Sequence, residues 1–224
     1  MEKQEIRQKY DRAASWYDWA DALSELLGMW WLRRKLLRRV GRTTGQVLEV
    51  ACGTGKNFRF YPSATDLVAV DLSQKMLETA RQRARTLGLE VVFATMDGEQ
   101  LAIRDRSVDT ILSSLTLCTF PNPINALREM SRVCRPEGQI LLLEHGRSRQ
   151  EWLGRWQDRR AGRHAQALGC NWNREPLELV RQAGLQLIWA QRTFFGIIHL
   201  IETKPAWQEQ LWLIETVDSM EGAQ

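Results

Sequence analysis

The sequence contains no long apolar run and no closely spaced pair of cysteines. No stretch approaches the roughly 18 consecutive apolar residues that cross a bilayer, and the N-terminal MEKQEIRQKY lacks the apolar core of a signal peptide. The four cysteines are scattered without a Cys-x-x-Cys pair, which indicates neither a zinc site nor a disulfide framework. We therefore expect a cytoplasmic chain with free thiols and no bound metal.

A large excess of charge of one sign is also missing. The chain carries 31 basic and 27 acidic side chains, a formal net charge of +4, so no nucleic-acid partner is expected from composition. Tryptophan, by contrast, is abundant, with ten residues against three tyrosines. A length of 224 residues and a hydrophobic content of 44% suit one α/β domain with additions.

Short apolar or β-branched runs alternate with helical patterns along the chain. The runs cover residues 46–51, 67–71, 90–95, 108–115 and 139–144. Such runs are typical of parallel strands buried on both faces, and the clearest helix between them covers 73–87, with Ser73 as its N-cap. A turn at 135–138 leads into the fifth strand, and two later strands meet at Phe195-Gly196. The pattern predicts an α/β fold with a doubly wound, Rossmann-like, seven-stranded sheet that ends in an antiparallel hairpin.

The segment VLEVACGTG at 47–55 is a buried strand that ends in Gly53-x-Gly55. Glycine at these positions allows positive φ and lets a ligand approach the main chain, as in nucleotide-type cofactor sites. A dinucleotide site needs a third small residue three positions after Gly55, where this sequence has Phe58. Recognition of a diphosphate is therefore not expected.

Two carboxylates follow the next two strands. Asp71 ends the second strand, where it can accept hydrogen bonds from both hydroxyls of a ribose. Asp97 follows the third strand, where it can accept the exocyclic amine of an adenine. An amino-acid tail would then lie near Glu49 and the glycine turn. These features fit a nucleoside without phosphates, S-adenosylmethionine (SAM).

Four segments resemble, in order, the successive motifs of class I SAM-dependent methyltransferases. They are VLEVACGTG, AVDLS (69–73), MDGEQLAIRDRSVDTILSSLTL (96–117) and LREMSRVCRPEGQILLLEHG (127–146). The resemblance covers residues 10–202, and YDRAASWYD (10–18) is similar to the segment that folds over the cofactor in ubiquinone-biosynthesis-type enzymes. It implies SAM as the methyl donor, bound by Tyr10, Tyr17, Glu49, Ala51, Gly53, Gly55, Asp71, Leu72, Met76, Asp97, Gly98 and Ser114. Ala51 stands where most of the family has glycine, and only a slight change in the turn is expected.

Further details resemble particular branches of this family. GTGKNFRFYP (53–62), Leu117-Cys118 and GCNWNRE (169–175) are similar to membrane-associated alkyl-thiol methyltransferases. The N-terminal half also resembles bacterial phosphatidylethanolamine N-methyltransferases. The resemblance implies direct displacement by a small lipophilic acceptor, with a thiol, a phospholipid amine or a quinone carbon as alternatives. An RNA-binding protein and a SAM-binding protein without catalysis remain as alternatives from other classes.

His145, at the C-terminal end of the fifth strand, is the candidate catalytic base. Alternatively, it only positions the backbone or the acceptor. We expect Cys118 and Cys170 to be pocket or core residues and not nucleophiles, because no base lies beside either of them in the sequence.

A basic, tryptophan-containing segment, LLGMWWLRRKLLRRV, covers 26–40. Its cations are Arg33, Arg34, Lys35, Arg38 and Arg39. This composition is typical of a helix that lies on an anionic membrane surface, and we expect contact through 29–42, on the inner membrane face. Alternatively, the apolar side packs on the sheet and the cations form a solvated face.

The chain is expected to form a single domain, which the patterns divide into five parts. These are an N-terminal helical cap (1–44), a SAM-binding core (45–146), a helical insertion near the acceptor pocket (147–172), a late helix with the closing hairpin (173–205) and a tail (206–224).

Overall fold

The structure is a computed structural model that describes residues 2–14, 17–20, 25–40 and 45–205. The predicted tail and parts of the predicted N-terminal cap lie outside these residues. The strands are β1 (Gln46–Val50), β2 (Asp66–Asp71), β3 (Val91–Thr95), β4 (Val108–Ser114), β5 (Cys134–His145), β6 (Gln186–Thr193) and β7 (Ile198–Lys204). The helices are α1 (Lys3–Ala13), α2 (Tyr17–Ala20), α3 (Trp30–Leu37), α4 (Gln74–Leu87), α5 (Pro123–Val133), α6 (Glu151–Leu168) and α7 (Pro176–Gln182). A π-helical turn, Glu25–Met29, precedes α3, and a 3₁₀ turn, Phe58–Phe60, follows β1.

The seven strands form one sheet in the order β3-β2-β1-β4-β5-β7-β6. Strands β1 to β5 are parallel, whereas β7 is antiparallel to both β5 and β6. The predicted doubly wound sheet with a C-terminal hairpin is confirmed. Strand order reverses at β1 and β4, and ligands of open α/β sheets bind outside the carboxyl ends of the strands at such a point.

Apolar strand residues point alternately to the two faces of the sheet. Leu48 and Ile111 pack in a core cluster with residues of α5 and α7. Leu112 and Leu141 pack in a second cluster with residues of α3 and α4. All four side chains are fully buried. Burial on both faces explains why these strands appear in the sequence as continuous apolar runs.

The start of α4 agrees with the predicted helix cap, whereas the start of β5 differs from the predicted turn. Ser73 caps α4 as predicted, because its hydroxyl accepts a hydrogen bond from the backbone N–H of Met76 at 3.1 Å. The turn predicted at 135–138 is different, since β5 already begins at Cys134. Cys134 pairs with Val108, and the next pair is Gln139 with Thr110. The intervening residues therefore form an irregularity within β5 and do not precede the strand.

Helix α3 packs on the sheet through Leu36 and Leu37, as the second of the two interpretations of the basic segment expects. Not all of its cations form a surface. Arg33 is only 5% exposed, and Arg39 forms an ion pair with Glu202 and lies over the Trp189 ring. These two arginines therefore have partners within the protein. Membrane contact through 29–42 stays a prediction, and residues 41–42 lie outside the described residues. No helix in the described parts of the chain has both the length and the apolarity to span a bilayer.

Candidate active site

A cleft opens at the carboxyl ends of β1, β2 and β4, and it encloses about 980 Å³ including its open mouth. Ligand sites typically measure about 300–1,000 Å³. Every residue predicted to bind the cofactor lines this cleft except Gly55. The lining residues among them are Tyr10, Tyr17, Glu49, Ala51, Gly53, Asp71, Leu72, Met76, Asp97, Gly98 and Ser114. The fold thus brings together residues that are spread over more than a hundred positions of the sequence.

The glycine turn after β1 shapes the floor of the cleft. Gly53 has φ +55°, and no atom lies within 4 Å of the position that a Cβ would occupy. Gly55 has φ +75°, and a Cβ there would overlap the ring of Phe58. Phe58 is fully buried, so it fills the space that a third small residue leaves free in a dinucleotide site. Gly55 therefore supports the turn from beneath and does not face the ligand.

Ala51 also adopts a left-handed conformation, with φ +53°. The sequence led us to expect a slightly altered turn at this position. The backbone instead keeps the conformation that glycine adopts without strain, and alanine takes it at a cost of about 1–2 kcal/mol. The substitution is therefore accommodated as local strain.

Asp71 is fixed by the backbone at the end of β2. Its Oδ1 accepts a hydrogen bond from the Ser73 N–H, and its Oδ2 accepts one from the Gly53 N–H, both at 2.8 Å. Burial raises the pKa of Asp71 to about 6, although these two hydrogen bonds oppose the shift. An ionised carboxylate offers about four acceptor positions, so two remain for the hydroxyls of a ribose.

Glu49 is buried at the end of β1 and is held by two side chains. Asn57 Nδ2 donates to Glu49 Oε1 at 2.8 Å, and the Tyr61 hydroxyl donates to Oε2 at 2.9 Å. Burial raises the pKa of Glu49 to about 7, while these hydrogen bonds and the nearby Arg33 partly offset that shift. Arg33 is itself anchored, because its Nη1 donates to Asn57 Oδ1 at 2.9 Å. Glu49 is therefore a strong partner for a cationic ligand group.

Helix α1 lies across the cleft and is tied to its far side. Lys3 Nζ donates to Asp97 Oδ2 at 2.6 Å and lies 2.9 Å from Glu99 Oε2. The Ser73 hydroxyl donates to Asp11 Oδ1 at 2.6 Å. The sequence predicts that 10–18 folds over the cofactor, but it gives no sign of the contacts that Lys3 and Asp11 make. No spacing rule could have found them, because their partners lie far away in the sequence.

The cleft fits SAM. It offers carboxylates at the ends of β1 and β2, a third one at Asp97, and open space above Gly53. A charged amino group, a ribose and an adenine amine are the groups that such acceptors recognise. Glu49, Asp71 and Asp97 are the residues that would hold the three parts of SAM.

His145 does not line this cleft. It lines a neighbouring cavity, the acceptor cavity, together with Leu153, Trp156, Gln157, His164, Cys170, Trp172 and Ile197. His145 Nε2 lies 3.3 Å from Cys170 Sγ, and the ligand atoms of Cys118, His145 and Cys170 all lie within 4.8 Å of one another. Cys118 is buried and Cys170 lines the cavity, as expected of core and pocket residues, but the fold also brings a base to Cys170 that is distant in the sequence. The role of His145 as a catalytic base stays a prediction.

Hydrogen bonds and burial shift the pKa values of the three residues in this cluster. The hydrogen bond from Cys118, followed by that from His145, lowers the pKa of Cys170. The same bond and burial raise the pKa of Cys118. Burial alone would lower the pKa of His145, but its interactions with Cys170 and Glu144 outweigh burial and raise it. The two thiols are thus shifted in opposite directions, with Cys170 the more acidic of the pair.

Comparison with known proteins shows that the chain is similar to methyltransferases. Residues 48–142 match a family of methyltransferase domains. The mitochondrial methyltransferase OMS1 of Saccharomyces cerevisiae is 29% identical over 87% of this chain and 45% of its own length. The human thiol S-methyltransferase TMT1A is 33% identical over 65% of this chain and 62% of its own length. The chain therefore spans about half of the length of the relatives that it matches.

Solved structures show the same fold. A SAM-dependent methyltransferase of Thermotoga maritima, described as a possible histamine N-methyltransferase, is 22% identical, with a TM-score of 0.59. The match covers 90% of this chain and all of that one.

Proposed function

We propose that the chain is a class I SAM-dependent methyltransferase that methylates a small lipophilic thiol, a proposal that its similarity to methyltransferases supports. The observation that carries this proposal is the acceptor cavity, which is lined largely by apolar and aromatic side chains and contains a thiol and imidazole cluster. Such a lining favours a greasy acceptor of modest size. The likeness to human thiol S-methyltransferase TMT1A supports the same acceptor class.

We expect each of three carboxylates in the cofactor cleft to bind a different part of SAM. SAM supplies an electrophilic methyl group, which an acceptor atom takes by direct displacement while the electrons of the broken bond stay on the donor sulfur. In our proposal Asp71 accepts the ribose hydroxyls, Asp97 accepts the adenine amine, and Glu49 pairs with the amino group. Helix α1 keeps water out of the cleft, since Lys3 ties its N-terminus to Asp97 and Glu99.

The acceptor side adjoins the donor side. Tyr10 lines the cofactor cleft, and its pKa is raised first by burial and then by the charges of Cys118 and other neighbours. The segment that carries Cys118 also contributes Thr116 and Thr119 to the cleft wall. Direct displacement requires contact between the reacting atoms, so the sulfur of a thiol bound in the acceptor cavity would have to extend past Tyr10 and the Cys118 segment to reach the methyl group. Thiols need little base assistance, because an appreciable fraction ionises near neutral pH.

The proposal is tested by incubating the protein with methyl-labelled SAM and three acceptors separately: an alkyl thiol, phosphatidylethanolamine vesicles and a quinol. Product mass should show an S-methylated thiol and at most trace methylation of the other two. Asp71→Ala serves as the control for enzyme-independent methylation. Preferential methylation of the phospholipid amine or of the quinol carbon would replace the thiol with the corresponding alternative acceptor.

We further propose that the protein meets an anionic membrane surface next to the acceptor cavity. An aromatic-basic surface there consists of Trp31, Arg34, Trp152, Phe194 and Phe195. Trp31, Trp152 and Phe195 are 62%, 66% and 70% exposed. Indole and phenyl groups beside arginine are typical of side chains at a membrane interface.

Three elements contribute to this surface, and contacts hold them together. The Phe194 ring lies 3.1 Å from the Cβ position of Gly28, one turn before Trp31. The Ser148 hydroxyl, near the start of α6, donates to the Phe195 carbonyl at 2.9 Å. Phe194 and Phe195 have φ values of 48° and 57°, which bulky residues rarely adopt. Strained exposed aromatics at a hairpin tip are typical of functional contacts, and Ile197 of the same turn lines the acceptor cavity.

Liposome flotation with anionic lipid tests this contact. Arg34→Glu combined with Phe195→Ser should reduce the floated fraction several-fold. The matched control is Arg85→Glu with Leu87→Ser, which changes an exposed cation and an exposed apolar residue on α4. Equal flotation of the two double variants would contradict the assignment of this surface. The position on the inner membrane face stays a prediction.

A further inference from the structure

We propose that Cys118, His145 and Cys170 form a binding site for a divalent metal ion of the zinc type, beside the acceptor cavity. The three ligand atoms lie within 4.8 Å of one another, with 3.3 Å between His145 Nε2 and Cys170 Sγ. Tetrahedral zinc has bonds of about 2.3 Å to sulfur and about 2.0 Å to nitrogen, so its ligand atoms lie about 3.5–3.8 Å apart. Small side-chain rotations bring the three atoms to these separations.

The chemistry of the donor set selects the metal class. Two thiols and one imidazole match zinc and similar borderline-soft ions, whereas magnesium and calcium require oxygen ligands. Three protein ligands leave one tetrahedral position open, as in zinc sites that bind a substrate. A closed structural site would need a fourth protein ligand, and the described residues bring no other histidine, cysteine or carboxylate into this group.

Backbone contacts fix the ligands in place. The Asn171 N–H and side-chain amide both donate to the Cys118 carbonyl, at 2.9 and 3.2 Å. His164 Nδ1 is hydrogen bonded to the Cys170 carbonyl at 2.9 Å, and the His145 ring is hydrogen bonded to the backbone of Trp172. Metal-bound histidines almost always have such a second hydrogen bond, because it orients the ring.

The open position faces the acceptor cavity. His145 and Cys170 line that cavity, whereas Cys118 is buried behind them. An acceptor thiol that enters would give its proton to solvent and bind the metal through a sulfur lone pair, with no change in oxidation state. This step rests on the proposed thiol methylation, but the metal site itself does not. In the proposed metal site, His145 is a metal ligand and not a catalytic base.

Metal content of the purified full chain tests the site directly. Protein prepared in reducing buffer without chelator should contain about one zinc per chain by elemental analysis, and exchange with cobalt should give thiolate charge-transfer and intense visible bands. Cys118→Ser and Cys170→Ser should lose the metal and the bands. Cys134→Ala is the matched control, because it removes a buried cysteine outside the cluster.

A thermal measurement guards against loss of folding in the serine variants. Zinc should raise the melting temperature of the parent chain and of Cys134→Ala, but not that of His145→Gln or Cys170→Ser. The proposal is overturned if the parent chain binds no stoichiometric metal, or if Cys118 and Cys170 form a disulfide in the metal-free protein that zinc does not prevent.

An alkyl thiol added to the cobalt form separates this inference from the proposed function. A shift of the visible bands would place the thiol at the open position. Stoichiometric metal without methylated thiol would leave the site standing and contradict the thiol function. Full thiol methylation by metal-free protein would contradict the role of the metal in acceptor binding.

Discussion

The cofactor cleft and the acceptor cavity lie side by side but are built from opposite chemistry. The cleft is lined by buried carboxylates, and burial raises the pKa of Glu49 to about 7 and of Asp71 to about 6. The acceptor cavity is lined by aliphatic and aromatic groups, with an imidazole and thiols as its reactive groups. In our proposal, therefore, the donor is recognised by charge and hydrogen bonding, and the acceptor by apolar contact and soft ligands. Variants on the two sides should therefore fail in different ways.

Asp71→Ala should have the largest effect, and it should act on the cofactor cleft alone. The change removes the ribose acceptors and leaves the Gly53 and Ser73 N–H groups without their partner. Hydrogen bonds to a charged group contribute about 1.5–3 kcal/mol each, so SAM affinity should fall by at least about 100-fold. Calorimetric titration measures this loss, with the exposed Asp66→Ala as the control on the same strand. Parent-like affinity in Asp71→Ala would refute the ribose assignment.

The raised pKa values give the donor side a pH dependence. SAM should bind the ionised carboxylates, so binding must release the protons that Glu49 and Asp71 hold below about pH 7 and pH 6. Affinity should therefore rise with pH and level off near pH 8, with roughly a twentyfold loss at pH 6 relative to pH 8.

Glu49→Gln separates the two carboxylates. This variant should lose the part of the pH dependence near pH 7 and keep the part near pH 6. Its affinity at pH 8 should be lower than that of the parent, because the cationic amino group loses its partner. Calorimetry at several pH values measures both effects. An unchanged profile in Glu49→Gln would show that another group titrates.

The contrast also explains what could be predicted from the sequence. Glu49, Asp71 and Asp97 follow consecutive parallel strands, and the carboxyl ends of these strands meet at one edge of the sheet. Their meeting follows from the strand pattern alone. The fold and most of the cofactor cleft could therefore be predicted, down to Phe58 filling the place of a small residue.

The acceptor side could not be predicted in the same way. Cys118, His145 and Cys170 come from the loop after β4, the end of β5 and the loop after α6. No local spacing relates them, so the absence of a Cys-x-x-Cys pair wrongly suggested isolated thiols. The same limitation hid Arg33, whose burial depends on Asn57 and not on its place in a basic run. Whether such a charged side chain is buried depends on partners that are distant in the sequence.

Trp172→Ala tests whether the acceptor cavity can be altered without an effect on the cofactor cleft. The Trp172 ring stacks on His164 with 4.1 Å between ring centroids and lines the acceptor cavity. Its loss removes apolar contact area, so the KM for a short-chain thiol should rise by roughly tenfold while SAM affinity stays unchanged. Leu168→Ala, an exposed residue of α6, is the control. A parallel loss of SAM affinity would mean that the two sites are not separate.

Ala51→Gly should have the smallest effect and acts on stability. Glycine relieves the left-handed strain of about 1–2 kcal/mol at φ +53°, but it adds about 0.5–1 kcal/mol of entropy cost on folding. The net gain should be about 0.5–1 kcal/mol, or roughly 2 °C in melting temperature. Ala80→Gly, a buried position inside α4, should have the opposite sign, because a helix loses about 1 kcal/mol there. Destabilisation by Ala51→Gly would show that the methyl group makes contacts in the cleft worth more than the strain. Ala51 does not line the acceptor cavity, so the KM for the thiol should stay unchanged in this variant. A changed KM would mean that the cofactor cleft and the acceptor cavity are not independent.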